Sequence, residues 1–200
     1  MNTTLRILSL SLVLALAACA GNNTASQSAA SEAVTPPAAA PIVGSGTIKV
    51  LNDTIPSPRK QMTATIEGVE VTLTYGSPAI KGRALWGGLV PYGEVWRTGA
   101  NEATTITFSA PVKIGGQALA AGTYGLFSLP SETDWTIIFN SVADQWGAYE
   151  YDETKDVLRT KVVPKTSTAA SETMEFNVTD GNTIVMMWGN LVVPFVVTAG

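Results

Sequence analysis

The side chains best suited to chemistry gather in one stretch of the chain, between Tyr75 and Glu102. A guanidinium offers a planar fork that suits a carboxylate or phosphate. Tryptophan faces suit sugar rings and other flat apolar groups. The sequence therefore predicts a site for a small polar ligand. The candidate ligand-binding residues are Tyr75, Lys81, Arg83, Trp86, Arg97, Asn101, Glu102 and Trp146.

A structural role for the same charges is the alternative interpretation. Arg97 lies three residues after Glu94 and five before Glu102. An internal ion pair with either carboxylate would fix a long loop and bind nothing. The sequence leaves both interpretations open.

A second candidate segment runs from Asn140 to Tyr151, where aromatic residues alternate with Asp144, Gln145 and other polar side chains. Aromatic rings that pack on sugars, beside amides and carboxylates that bind hydroxyls, are typical of carbohydrate sites. The alternative is a loop anchored by one buried tryptophan.

Two patterns raise the question of catalysis. Glu94 and Glu102 are candidates for the carboxylate pair of a glycosidase, which needs a defined separation that sequence does not give. Ser57 and Lys60 match the S-x-x-K pattern of serine acyl enzymes. Pro58 disfavours the helix on which that pattern normally lies, so no catalytic residue is assigned.

The composition excludes several function classes. The chain has no histidine and one cysteine, Cys19. Zinc sites built on Cys and His, and nucleophiles activated by histidine, are therefore excluded. We expect no metal site and no cofactor. The net charge of −4 and the absence of a basic stripe argue against nucleic acid as a partner.

The amino terminus resembles a lipoprotein signal peptide. Residues 1–18 combine Arg6, a short apolar run and small residues before Cys19. The run is too short to span a membrane as a helix. We expect lipid on Cys19, which would be the contact with the membrane, because several acyl chains hold a protein firmly. Ala20 and Gly21 after the cysteine favour the outer membrane of a Gram-negative bacterium.

Residues 19–46 form the predicted linker, and residues 47–200 the predicted domain. The linker is rich in Ala, Ser, Thr and Pro, with Glu32 as its only charge. Such a composition buries too little apolar surface to fold and predicts a flexible tether. The remainder has the usual length of one domain.

Apolar and polar residues alternate in the domain with the period of a β-strand, as at 69–75 and 174–178. Turn signals at Gly115-Gly116 and Asp180-Gly181-Asn182 predict hairpins. About nine or ten short strands predict an all-β fold, an antiparallel β-sandwich of jelly-roll type. Residues 76–103 fit neither strand nor helix, and their tryptophans predict an ordered loop over the sheet.

The chain resembles a bacterial envelope family catalogued as domain of unknown function 2911. The likeness is carried by the runs Thr74-Tyr75-Gly76-Ser77-Pro78, Lys81-Gly82-Arg83, Val90-Pro91-Tyr92-Gly93-Glu94-Val95-Trp96-Arg97-Thr98-Gly99-Ala100-Asn101-Glu102-Ala103-Thr104 and Gln145-Trp146-Gly147-Ala148. The resemblance implies a secreted or lipid-anchored protein and brings no catalytic residue with it. The expected function is a non-catalytic binding or structural module. A carbohydrate-active hydrolase and a docking subunit of an envelope assembly are the alternatives.

Overall fold

Eleven strands make up the domain in a computed structural model that describes residues 44–200. The predicted leader, Cys19 and nearly all of the predicted linker lie outside the described residues. The strands are β1 (Thr47–Asn52), β2 (Arg59–Ile66), β3 (Val69–Gly76), β4 (Thr104–Phe108), β5 (Val112–Ile114), β6 (Gln117–Leu119), β7 (Gly122–Pro130), β8 (Trp135–Asn140), β9 (Asp156–Val162), β10 (Lys165–Thr179) and β11 (Thr183–Ala199).

Two antiparallel sheets pack as a sandwich, as the sequence predicts. The larger sheet has the order β1-β2-β3-β4-β7-β8-β9, and the smaller has the order β10-β11-β5-β6. A 3-10 helix at Glu153–Lys155 precedes β9. Eleven strands exceed the nine or ten that the sequence predicts. In the part of the chain that the structure describes, no helix is long and apolar enough to cross a membrane.

Both predicted hairpins form. Thr179 pairs with Thr183 across the Asp180–Asn182 turn, and Ile114 pairs with Gln117 across the two glycines. Positive φ angles at Gly115 and Gly116 explain why glycine occupies that turn. These hairpins can be predicted from the sequence because only residues that tolerate positive φ fit such short turns.

The core lies between the inward faces of the two sheets. Met62, Leu73 and Ile106 point inward from the larger sheet, and Phe176 and Val197 from the smaller, all fully buried. Their neighbours along each strand are more exposed, as the alternation on β3 and β4 shows. One buried face per strand is what the period of two requires.

Candidate functional site

Residues 77–103 connect β3 to β4 and join the two sheets at one end of the sandwich. The first part is held by β10, because Ile80 N–H donates to Glu172 O and Met174 N–H donates to Pro78 O. The later part is held by β7, where Trp96 and Ser128 exchange two backbone hydrogen bonds of 2.8 and 2.9 Å. The predicted ordered loop is therefore anchored to both layers.

Four of the five tryptophans form one cluster that joins this loop to the sheets. Trp86 and Trp96 come from the loop, Trp135 from β8 and Trp188 from β11. Trp96 stacks on Trp188 with ring centroids 5.9 Å apart, and Trp86 contacts Trp135 edge to face at 5.0 Å. Trp86 also contacts Trp96 and Trp188, and its Nε1 is buried without a hydrogen-bond partner. The structure therefore places Trp86 in a core cluster, where its ring supports the loop rather than forming a ligand platform.

An open cleft of about 380 Å³ lies between this loop and the start of β2. The buried residues Trp96 and Trp188 of the aromatic cluster border this cleft. Of the predicted residues it brings together Arg83, Arg97 and Asn101. The lining residues are Ser57, Pro78, Arg83, Leu89, Val90, Pro91, Glu94, Val95, Trp96, Arg97, Gly99, Ala100, Asn101 and Trp188.

Arg97 is the half-buried cation of the cleft. Burial lowers the pKa of its guanidinium from the usual value, and the nearby Tyr149 phenol opposes that shift. Its Nε is buried without a hydrogen-bond partner. Among residues 44–200, no carboxylate lies within ion-pair distance of Arg97. The ion pair with Glu94 or Glu102 that the alternative interpretation requires is not formed in this structure.

The backbone that follows Arg97 is strained. Thr98 has a φ of +50° and Asn101 a φ of +64°. A β-branched residue rarely adopts such an angle, and surrounding contacts hold it here. Thr98 Oγ1 donates to Ser128 Oγ at 3.0 Å, and Thr104 Oγ1 donates to Thr98 O at 2.8 Å. These bonds fix the wall of the cleft rigidly beside the guanidinium.

The other polar residues of the cleft keep free capacity. Arg83 is exposed and donates to the carbonyl oxygens of Ile80 and Ala79. Within residues 44–200, no carboxylate lies within ion-pair distance of Arg83. Asn101 Nδ2 donates to Ser57 O at 3.3 Å. Glu94 is exposed at the rim. Two guanidiniums face one carboxylate, so the local charge is positive on a chain that is acidic overall.

Lys81 and Tyr75 do not line this cleft. Lys81 is exposed on the loop, where its backbone N–H donates to Glu172 Oε1 at 2.8 Å. Tyr75 is fully buried and contacts Phe176 edge to face at 5.0 Å. Its hydroxyl accepts a hydrogen bond from the Phe176 N–H. Tyr75 therefore joins the two sheets within the core.

Burial raises the pKa of Tyr75 to about 12, and the charge of Glu175 adds to the rise. Unfolded tyrosine ionises near pH 10, so the folded state prefers the protonated form. This contribution to stability is complete below about pH 10 and is lost as pH rises towards 12. We expect Tyr75→Phe to reduce the fall in unfolding free energy between pH 9 and 12 by about 2 kcal/mol. Urea unfolding between pH 9 and 12 measures this difference. An equal fall in unfolding free energy in the wild type and in Tyr75→Phe would contradict the prediction.

Glu102 and Trp146 lie together, and neither lines the cleft beside Arg97. Arg59 Nη1 donates to Glu102 Oε2 at 3.2 Å. Glu102 pairs with Trp146 in an isolated antiparallel bridge, reinforced by the Ala103 N–H donating to Gln145 O. Trp146 is 60% exposed. The alternative of a loop anchored by a buried tryptophan does not fit this ring.

The geometry gives little support to the two candidate catalytic patterns, the Glu94 and Glu102 pair and the S-x-x-K motif at Ser57 and Lys60. Glu94 borders the cleft beside Arg97, whereas Glu102 borders a second, separate cleft lined also by Arg59, Thr105, Thr123 and residues 143–145. Lys60 forms an ion pair with Glu175 at 2.9 Å, and Ser57 contributes its carbonyl oxygen to Asn101. Within residues 44–200, no group of three or more acidic, histidine or cysteine side chains is placed to hold a metal ion.

Sequence reasoning missed Ser57 and Arg59 as neighbours of the candidate residues. They lie more than 40 positions before Asn101 and Glu102. Only the pairing of β2 with β3, and the return of the loop across the strand ends, brings them together. No local signal in the sequence marks such a contact.

Comparison with known proteins gives one family. The sequence profile of the family described as "Protein of unknown function (DUF2911)" matches residues 57–197. No curated protein and no solved structure matches the chain. The matched range includes both clefts and every candidate ligand-binding residue.

Proposed function

The chain belongs to the DUF2911 family, and from that premise we propose that it is a non-catalytic binding module of the cell envelope. Its ligand is a small polar molecule with an anionic group, held in the cleft beside Arg97. The lipid on Cys19 would keep this domain at the outer membrane of a Gram-negative bacterium. The residues 19–46 would serve as the tether.

The observation that carries the proposal is the unpaired charge of Arg97. A half-buried guanidinium without a carboxylate is costly, because burial removes water without supplying a counter-charge. Structural arginines in such places are normally paired. A bound carboxylate or phosphate would supply the missing acceptor, in the forked geometry that guanidinium favours.

The surroundings define the ligand further. Asn101 offers an amide for a hydroxyl or carbonyl group, and Glu94 at the rim accepts from a donor. The exposed side chains of Leu89 and Pro91 in the lining suit an apolar portion of the ligand. These contacts support a small molecule that combines an anionic end with a less polar body.

A hydrolase based on Glu94 and Glu102 has less support, since the carboxylates border separate clefts. A docking role in an envelope assembly has no specific contact in its favour. The binding proposal therefore stands first among the three.

Arg97→Ala tests the proposal directly. We expect wild-type full-length chain to bind at least one of acetate, succinate, glutamate, phosphate or sulfate. Arg97→Ala should weaken that binding by about 10- to 100-fold, since hydrogen bonds to charged groups contribute about 1.5–3 kcal/mol. Arg97→Lys should restore only part of the loss, because lysine keeps the charge without the fork. Calorimetric titration measures these affinities.

The matched control is Lys113→Ala, which removes an exposed cation on β5. It should bind anions as the wild type does. Circular dichroism and thermal melting should show that all three variants fold. Absence of binding to every anion, or equal affinity in Arg97→Ala, would overturn the proposal.

A further inference from the structure

A second cleft, of about 370 Å³, lies where β2, β4 and β7 meet the loop at residues 143–145. We infer that this cleft binds the hydroxyl groups of a neutral sugar whose ring packs on Trp146. The site is distinct from the cleft beside Arg97, with which it shares no lining residue. It is therefore independent of the anionic ligand proposed above.

The polar groups of this cleft match sugar hydroxyls, which both donate and accept hydrogen bonds. Arg59 and Glu102 form a partly exposed pair, with side chains 20% and 46% exposed. Only Oε2 of Glu102 accepts from Arg59, so the carboxylate retains acceptor positions. Asp144 is exposed beside them, and Thr105 and Thr123 add hydroxyl groups. A carboxylate can accept from two neighbouring hydroxyls of one sugar ring.

Gln145 supplies an independent sign of a missing donor. The residue is 7% exposed and borders the cleft. Its Nε2 donates to Val142 O at 2.7 Å, which fixes the orientation of the amide. Its Oε1 is buried and accepts no hydrogen bond from any of residues 44–200. Buried acceptors in native proteins normally have a donor, and a ligand hydroxyl in this cleft would provide one.

Trp146 supplies the apolar surface that a sugar ring needs. Residues that face each other in an antiparallel bridge project to the same side of the sheet. The bridge between Glu102 and Trp146 therefore places the indole on the same side as the Glu102 carboxylate. Trp146 follows the lining residue Gln145 and lies beside the cleft rather than in its lining. The other four tryptophans pack into one cluster, whereas this ring is 60% exposed. Burial does not explain its position.

The charge of the cleft favours a neutral ligand. Glu102 and Asp144 contribute two carboxylates against the single guanidinium of Arg59. An anion would be repelled by this excess of negative charge. An uncharged sugar is not repelled by this negative charge, and the carboxylates accept hydrogen bonds from its hydroxyl groups.

The test uses the full-length chain with glucose, galactose, mannose, N-acetylglucosamine, cellobiose and chitobiose as probes. We expect at least one of these sugars to reduce the quenching of tryptophan fluorescence by acrylamide, because Trp146 is the most exposed indole among residues 44–200. Trp146→Ala and Asp144→Asn should each weaken calorimetric binding of that sugar at least tenfold.

Tyr149→Ala is the matched control. Tyr149 belongs to the same loop and is 87% exposed. Trp146 is bridged to the cleft residue Glu102, whereas no such bridge joins Tyr149 to the cleft in the part of the chain that the structure describes. It should bind the sugar as the wild type does. The inference is overturned if no sugar binds, if Trp146→Ala retains full affinity, or if Tyr149→Ala loses as much. A preference for spermidine or another cation over every sugar would also overturn it.

Discussion

Trp188→Ala is expected to lower the free energy of unfolding by about 3–5 kcal/mol. Trp188 is 1% exposed, stacks on Trp96 and contacts Trp86 edge to face. Its Nε1 also donates to Glu172 O. Removing the ring leaves a large cavity between β11 and the loop of residues 77–103. Urea unfolding should show the loss, and the melting temperature should fall by about 10 °C.

Trp146→Ala is the matched comparison, because it makes the same chemical change at an exposed ring. It should alter the free energy of unfolding by less than about 0.5 kcal/mol. A similar loss in both variants would mean that the cluster around Trp188 is not the anchor of the loop. The two substitutions therefore separate the structural tryptophans from the exposed one.

The fold was predictable because its signals are local. Alternation on β3 and glycines in the hairpins depend on neighbours along the chain, and the structure confirms both. Pro194 predicts an edge or bulged position in the last strand. β11 lies between β10 and β5, but Pro194 itself falls between Val192, where the pairing with β10 ends, and Val197, where the pairing with β5 begins. The proline occurs where the strand changes partner.

The candidate site was predictable only in part. The sequence groups Arg83, Arg97 and Asn101 in one segment, and the structure places all three at one cleft. The alternation over residues 69–75 places Tyr75 on the buried face of β3, so its burial could be predicted. No local signal shows that the half-buried Trp86 packs against Trp135. The partner of Glu102 was equally hidden, since Arg59 comes from a distant strand. The sequence shows which polar residues are close along the chain. Only the strand topology determines which of their side chains line the same cleft.

This division of the predicted residues changes the view of the site. One expected ligand pocket becomes two clefts with opposite charge, one around Arg97 and one around Glu102. The segment Asn101–Glu102 contributes to both, since its first residue borders one cleft and its second residue the other. A rigid placement of this segment is therefore needed for either cleft to keep its shape.

Gly76→Ala is expected to disturb that segment directly and to lower the free energy of unfolding by about 3 kcal/mol. A Cβ at Gly76 would collide with the carbonyl oxygen of Ala100. The same two residues are joined by a hydrogen bond from Ala100 N–H to Gly76 O. The obstacle is backbone rather than a flexible side chain, so the segment that follows Arg97 must move. We expect anion binding at Arg97 to weaken along with stability.

Gly116→Ala separates this steric effect from a general intolerance of alanine. Gly116 has a φ of +85° and open space where the Cβ of alanine would lie. Alanine there lowers the free energy of unfolding by about 1–2 kcal/mol through backbone strain alone. Its turn lies between β5 and β6 and borders neither cleft. Calorimetric titration should therefore show unchanged anion affinity in Gly116→Ala. Equal affinity in Gly76→Ala would mean that the approach of β3 to Ala100 does not set the position of Arg97.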